Sequence, residues 1–363
     1  MGKNVLITGG AGFIGSHLAD ELLYLGYRVR VLDNLSPGIH GPDGRRPDYL
    51  DPEAEFIKGD VQDCAAVKKA MKGMDAVFHL ASFSAACGMQ DLRKATAVNS
   101  VGTAVLLEAA VSSSTVERVV IASSKCIYGE GLMRDREGRP YDRCQRTPEQ
   151  LMKGCWEISE GAEVLEPVPT PETKTPSPCS AYALTRFTQE SMALSVGRAY
   201  GLPVVALRFF NVFGTRQSLV SPHTGALTMF ALRLMKNNPP RLYEDGNQMR
   251  DFVSVYDAAQ ACRLALEVKE AAGKAFNVGS GQAVPVRVVA DKVASALGKR
   301  IRPLVTGEHR HGDVRHCFPD ITLIRDTLGY NPKVSFETGL RELAGWMESE
   351  KVAEGVLRAD AYY

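Results

Sequence analysis

The chain has 363 residues, 45% of them hydrophobic and 23% charged. Lys plus Arg total 43 and Asp plus Glu 42, for a formal net charge of +1. These values point to one large globular domain with a smaller appendage and exclude a broad polyanion-binding surface, so no nucleic-acid partner is expected. No apolar run reaches the ~18 residues that a membrane span needs, and no membrane partner is expected. The N-terminal apolar run stops at Gly9-Gly10, too short for a signal-peptide core, so a cytoplasmic location is the expectation. The eight cysteines are scattered without a C-x-x-C spacing. Reduced thiols and no metal site are therefore expected.

In chain order, the patterning predicts a strand over 4–8, a helix over 14–25 and a strand over 28–32. Short strands follow over 55–57, 76–80 and 118–122, separated by helices over 64–71 and 95–111. Strands alternating with helices imply right-handed crossovers and a doubly wound parallel sheet, a Rossmann-like α/β fold. Residues 131–179, with prolines at 140, 167, 169, 171, 176 and 178, break this rhythm and read as an irregular insertion. A helix over 182–200 and a strand over 204–209 resume it. One helix, 226–236, stands in a loop-rich stretch. Residues 252–275 read as strand then helix, and the remainder as short helices and strands. The expected division is a nucleotide-binding domain over 1–207, rejoined by 252–280. A smaller C-terminal substrate domain takes 208–251 and 281–350.

Gly9, Gly12 and Gly15 fall between the first strand and the first helix. A tight glycine turn lets backbone N–H groups, here including those of Phe13 and Ile14, approach a pyrophosphate at a helix N-terminus. Asp33 and Asn34 end the second strand, where a carboxylate accepts hydrogen bonds from adenosine ribose hydroxyls. Such a carboxylate repels a 2′-phosphate, which favours NAD over NADP.

With Thr8 ahead of it, this glycine spacing resembles the extended short-chain dehydrogenase/reductase family, which includes nucleotide-sugar epimerases and dehydratases. Further landmarks follow in that family's order. They are Gly59-Asp60-Val61, His79-Leu80-Ala81-Ser82, Asn99, Ser123-Ser124-x-x-Ile127-Tyr128-Gly129, Tyr182-x-x-x-Arg186, Arg208-Phe209-Phe210-Asn211, Arg250-Asp251-Phe252 and Arg310-x-Gly312-Asp313. Within the family the chain is most similar to sugar 4-epimerases, those of dTDP-L-rhamnose and of UDP-glucose. The cues are Tyr128-Gly129-Glu130-Gly131, Trp156-Glu157 and Gln217-Ser218-Leu219 before Thr224-Gly225. That subgroup often carries paired cysteines in the insertion. Here only Cys144 and Cys155 fall there, without pairing spacing.

The resemblance implies an NAD-dependent isomerase of nucleotide-diphosphate sugars. Asp60, Val61, Leu80, Ala81, Ser82, Asn99, Tyr182, Arg186 and Phe210 would join the cofactor contacts. Tyr182 would take the sugar hydroxyl proton, with Ser124 holding the same oxygen. A free phenol titrates near 10, so a cation must lower it for work near neutrality. The family's cation is a lysine four residues on, and this chain has Arg186, which on a helix shares a face with Tyr182. A working substitution, a slow enzyme and a lost activity are the three readings of Arg186. Ser84, Ser124, Cys126, Asn211, Arg250 and Arg310 match substrate contacts, Asn211 and the arginines as diphosphate partners.

Cys126 is either a packing residue or, as in 3,5-epimerases, an acid–base. Lys125 either reaches the pocket or faces outward. A 3,5-epimerase, a decarboxylase, a net oxidoreductase and a non-catalytic nucleotide-binding scaffold stay open as alternatives. The helices over 95–111 and 182–200 resemble the family's dimer-forming pair, which implies a homodimer.

Overall fold

The computed structural model describes residues 2–83, 92–219, 225–310 and 312–349. Its centre follows from strand β1 (Asn4–Thr8), where successive side chains point to opposite faces. Val5 and Ile7 enter one apolar cluster and Leu6 another, all with no exposed surface. Each such Leu or Ile contributes about 1.5–3 kcal/mol by burial. A strand buried on both faces needs partners at both edges and helices above and below.

Those partners are β2 (Arg28–Asp33), β3 (Glu55–Lys58), β4 (Ala76–His79), β5 (Arg118–Ser124), β6 (Val204–Phe209) and β7 (Ala275–Val278). They form one seven-stranded sheet in the order β7-β6-β5-β4-β1-β2-β3, and every pairing is parallel. The longer helices in chain order are α1 (Phe13–Tyr24), α2 (Cys64–Met71), α3 (Gly102–Val111), α4 (Ala181–Tyr200), α5 (Ala226–Met235), α6 (Val255–Glu267), α7 (Val286–Ala296), α8 (Thr322–Leu328) and α9 (Phe336–Glu348). Helices α1, α6 and α8 cover the Val5/Ile7 face. Helices α2, α3 and α4 cover the Leu6 face. Asp63, Ser180, Ser254 and Ser335 cap α2, α4, α6 and α9 by accepting backbone N–H bonds.

A third apolar cluster lies outside the sheet. Phe213, Phe230, Leu234 and Phe252 pack there against Val289 and Val293 of α7 and Leu340, Leu343 and Met347 of α9. Met249–Arg250, Val284–Pro285 and His316–Cys317 form a small sheet beside it. The sheet order reverses between β1 and β4, and ligands of such folds bind outside the carboxyl ends of the strands at that switch point.

Three features differ from the sequence reading. The insertion over 131–179 is folded: Met133–Arg134 pairs with Pro140–Tyr141 and with Glu166–Pro167. Ser159–Glu160 pairs with Glu163–Val164, and Met133, Ile158 and Leu165 make a small core with Tyr141 and Cys144. Two-residue strands are too short to leave a readable period. The stretch read as strand then helix over 252–275 ends its helix at Glu267, and β7 begins at Ala275. The helix expected over 95–111 carries a π-helical segment, Thr96–Val101, preceded by Leu92–Ala95.

Candidate active site

At the end of β1, Gly9 adopts φ +69, and a Cβ there would lie 2.7 Å from the Ala81 nitrogen. A Cβ on Gly15 would lie 2.4 Å from the Gly9 carbonyl oxygen. Both positions are therefore closed to any side chain, and α1 starts hard against the turn. The first i to i−4 bond of α1 runs from Ser16 N–H to Gly12 O. The N–H groups of Phe13, Ile14 and Gly15 precede it, have no hydrogen-bond partner among the described residues, and face an anion position at the positive helix end. Phe13 and Ile14 are half-buried.

Asp33 is 8% exposed. It accepts the Ala11 N–H at 3.1 Å and the Leu35 N–H at 2.9 Å, which fixes its carboxylate beside the glycine turn. The His40 ring stands 3.6 Å away. Asn34 donates to Asp60 at 2.8 Å. Burial opposes ionisation of Asp60, but bonds from Gln62 and Asn34 outweigh it and hold its pKa low. Val61 is buried. This cradle with its ribose-side carboxylate fits NAD.

Thr8, His79 and Thr103 form a buried chain across β1, β4 and α3. Thr103 donates to Asn99 O at 2.6 Å, so it must accept from His79 Nε2 at 2.9 Å. His79 Nδ1 then accepts from Thr8 at 2.7 Å, and Thr8 accepts the Ala81 N–H at 3.3 Å. Burial, aided by Arg186, lowers the His79 pKa to about 3, so the ring is neutral. Asn99 sits in the π-helical segment, where such distortions re-aim side chains. It accepts from Phe83 N–H at 2.8 Å and donates to Thr185 on α4 at 3.0 Å. Together these bonds hold the Leu80-Ala81-Ser82 segment against the glycine turn.

Ser124 ends β5, and its hydroxyl accepts the Cys126 N–H at 3.3 Å, starting the turn Lys125–Tyr128. Ser180 caps α4, and this sets Tyr182, Arg186 and Glu190 on one face at i, i+4 and i+8. Tyr182 is half-buried. Burial pushes its phenol up; Arg186 and Ser124 pull it down, Cys126 pushes it further up, and the sum is upward. The Arg186 guanidinium lies 6.0 Å from the Tyr182 ring centre. It is 4% exposed, donates to Gln189 at 2.8 Å and to the Ser123 carbonyl at 3.5 Å, and its Nε has no partner among the described residues. Burial raises the Cys126 thiol, against pulls from Ser124, Arg186 and Lys125. A neutral thiol is a poor base.

Sequence reasoning missed the network behind this cluster. Glu190 accepts from Ser123 Oγ and is clasped by Arg208, whose Nε lies 3.1 Å from each carboxylate oxygen. Arg208 also donates to the Tyr128 hydroxyl at 2.8 Å, and Tyr128 donates to Asn277 at 2.7 Å. Asn277 on β7 in turn donates to the Thr170 and Asp320 carbonyls. The available signal was Glu190 in helical register with Tyr182 and Arg186.

Asn211 donates to the Asp251 carbonyl. Asp251 is wholly buried; burial raises its pKa to about 6, opposed by hydrogen bonds from Ser280, Gly281 and Gln282. Arg250 donates to the carbonyls of Met249, Val314 and Arg315 and has no carboxylate partner among the described residues. Arg310 is exposed, stacked over Tyr243 at 4.4 Å and paired with Asp313 at 2.8 Å. Phe210 packs with Tyr128, Ile127 and Cys317. Ser84 and Thr224 lie outside the described residues.

Arg315, with no exposed surface, is gripped by Glu157 of the insertion and by Glu244 and Asp245 at 2.9 and 2.6 Å. Glu130 accepts the Arg315 and His316 N–H groups and pairs with Arg146 at 3.2 Å. The insertion thereby pins the segment on whose carbonyls Arg250 hangs. Among the described residues no group of three or more metal-ligating side chains occurs, and no helix is long and apolar enough to cross a membrane.

A family model described as the NAD-dependent epimerase/dehydratase family matches residues 5–279. The chain is 35% identical over 354 residues to a dTDP-L-rhamnose 4-epimerase of Burkholderia thailandensis, covering 96% of each chain. It is 29% identical to a putative UDP-glucose 4-epimerase of Methanocaldococcus jannaschii, over 95% of this chain and 98% of that one. Among solved structures, the Thermus thermophilus UDP-glucose 4-epimerase complex with NAD matches with a TM-score of 0.76 and 31% identity, over 96% of this chain and 99% of that one. The Thermotoga maritima UDP-glucose 4-epimerase with UDP-glucose matches with a TM-score of 0.78 and 28% identity, over 95% and 98%. Sequence match and sheet topology agree along nearly the whole chain, and the chain belongs to the NAD-dependent epimerase/dehydratase family.

Proposed function

We propose that the chain is a nucleotide-diphosphate-sugar 4-epimerase that interconverts C4 epimers through a transient 4-keto sugar. The observation that carries this is the convergence of Tyr182, Ser124 and Arg186 at the carboxyl ends of β4 and β5, beside the glycine cradle. NAD, when bound, supplies the acceptor and donor of the C4 hydride and a positive ring beside the phenol. Tyr182 takes the C4 hydroxyl proton and gives it back after the keto sugar has turned over. Ser124 holds the same oxygen, so that the proton moves along a fixed line. Arg186 favours the phenolate through space rather than by direct contact.

Asn211, Arg250 and Arg310 take the nucleotide diphosphate, the pivot about which the keto sugar turns. The ligand then lies between two parts, residues 1–207 with 252–280, and residues 208–251 with 281–350. The elevated Cys126 thiol counts against proton abstraction at C3 or C5.

A homodimer is the assembly this reading favours. Helices α3 and α4 lie side by side, and Val101, at the end of the π-helical segment before α3, and Leu184 on α4 are about half exposed, at 50% and 55%. A cytoplasmic location accords with free thiols at the seven described cysteines.

The test is a nucleotide sugar deuterated at C4. Epimerisation with the label retained at C4 is expected. Loss of the label to solvent would overturn the reading.

A further inference from the structure

Gln189 lies on α4, three residues after Arg186, and is wholly buried. Its Oε1 accepts from the Arg186 guanidinium at 2.8 Å. The Nε2 of the same amide has no acceptor among the described residues. Turning the amide over would set donor against donor, so Arg186 fixes its orientation. A buried amide with one half unpaired is costly, and an apolar side chain of the same size would avoid that cost. Packing therefore gives no reason for glutamine at this position, whereas the guanidinium does.

The bond matters because Arg186 has little else to hold it. Its other acceptor, the Ser123 carbonyl, lies at 3.5 Å, beyond the usual range of a hydrogen bond. The family's lysine is a compact point charge, but a guanidinium is a wide fork that needs an acceptor to keep it in one place. One turn further along the same face of α4 stands the Glu190 carboxylate, whose oxygens are taken by Arg208 and Ser123. An Arg186–Glu190 pair would offset the charge that acts on the Tyr182 phenol, whose ring centre is 6.0 Å from the guanidinium. A neutral acceptor holds the fork and leaves its charge whole. The other titratable groups whose charge would be felt here are Cys126, on the turn after β5, and His79 on β4. Both are neutral near pH 7, since burial pushes the thiol up and holds the imidazole at about 3.

We infer that Gln189 is a positioning residue, a neutral tether that keeps the Arg186 guanidinium beside Tyr182 and away from Glu190. It is what lets arginine serve in this chain where the family has lysine. The inference deepens the 4-epimerase reading above and rests on it.

The experiment is a pH titration by carbon-13 NMR of NAD-loaded protein labelled at the tyrosine Cζ, with the Tyr182 signal identified by its loss in Tyr182→Phe. Turnover of a panel of UDP- and dTDP-sugars is measured on the same samples. Gln189→Glu sets a negative charge on the fork. It is expected to raise the Tyr182 midpoint by about one pH unit and to lower kcat near neutral pH by about tenfold. Gln189→Met, of similar size but without that acceptor, releases the fork toward Glu190 and is expected to do the same. In an Arg186→Met background, Gln189→Met should move the midpoint no further, because it acts through the guanidinium. Either Gln189 variant decides the matter should the other fail to fold. A midpoint that neither variant raises, or one that Gln189→Met raises equally without Arg186, would overturn the inference alone. A wild type that converts no sugar of the panel would overturn the epimerase reading and the inference with it.

Discussion

Arg208→Met is the perturbation whose cost follows most directly from the structure. It leaves the Glu190 carboxylate, 2% exposed, with Ser123 as its remaining partner. It also removes the donor to Tyr128. Breaking a buried ion pair on one side costs about 3–5 kcal/mol, because the surviving charge stays out of water. With a urea slope of about 3 kcal/mol per molar, the unfolding midpoint moves down by about 1–1.7 M.

Replacing both partners, as Glu190→Leu with Arg208→Met, removes the stranded charge and is expected to recover most of the loss. The assay is urea unfolding of the single and double variants followed by circular dichroism. A single-variant shift below about 0.3 M would refute the reasoning. So would a double variant as weak as the sum of the singles.

Gly15→Ala is expected to abolish NAD binding while the chain still folds, because the new Cβ lies 2.4 Å from the Gly9 carbonyl oxygen and forces the turn open. Fluorescence titration with NAD checks this, and unchanged affinity contradicts it. Burial works against ionisation of Glu157, yet His316 and Arg315 hold its pKa down to about 2. A depressed carboxylate stabilises the fold above its unfolded pKa and loses that contribution as pH falls toward its folded one. The wild-type melting temperature should therefore drop more steeply between about pH 4.5 and pH 2.5 than that of Glu157→Gln, and parallel curves would exclude the clasp as a source of stability. Arg186→Lys loses the fork that reaches both Gln189 and the Ser123 carbonyl. It should lower kcat by about tenfold, whereas a gain in turnover would mean that the site is not tuned for arginine.

The sheet was largely legible because its strands are buried on both faces. β1 and β6 read as near-continuous apolar runs bounded by glycine or loop residues, and their limits match the sequence reading. β7 was not legible: four residues, Ala275 to Val278, carry too short a pattern, and β7 earns its place through the register of Ala206 with Ala275. The insertion failed for a different reason. Its order comes from Glu157, Arg146 and Lys174 reaching distant groups, Lys174 donating to the Tyr128 carbonyl at 3.0 Å. Such contacts are long-range and leave no local period.

At the site, glycine spacing and the i, i+4 relation of Tyr182 to Arg186 were readable because each is local geometry. The direction of the Tyr182 shift was not, since burial is set by the whole fold.

The most direct measurement is proton NMR of the purified protein with a panel of UDP- and dTDP-sugars in deuterated water, with no reductant added. The account predicts a C4 epimer that carries no solvent deuterium, and no such product from Tyr182→Phe. Deuterium at C3 or C5 would contradict it and move the chemistry to Cys126.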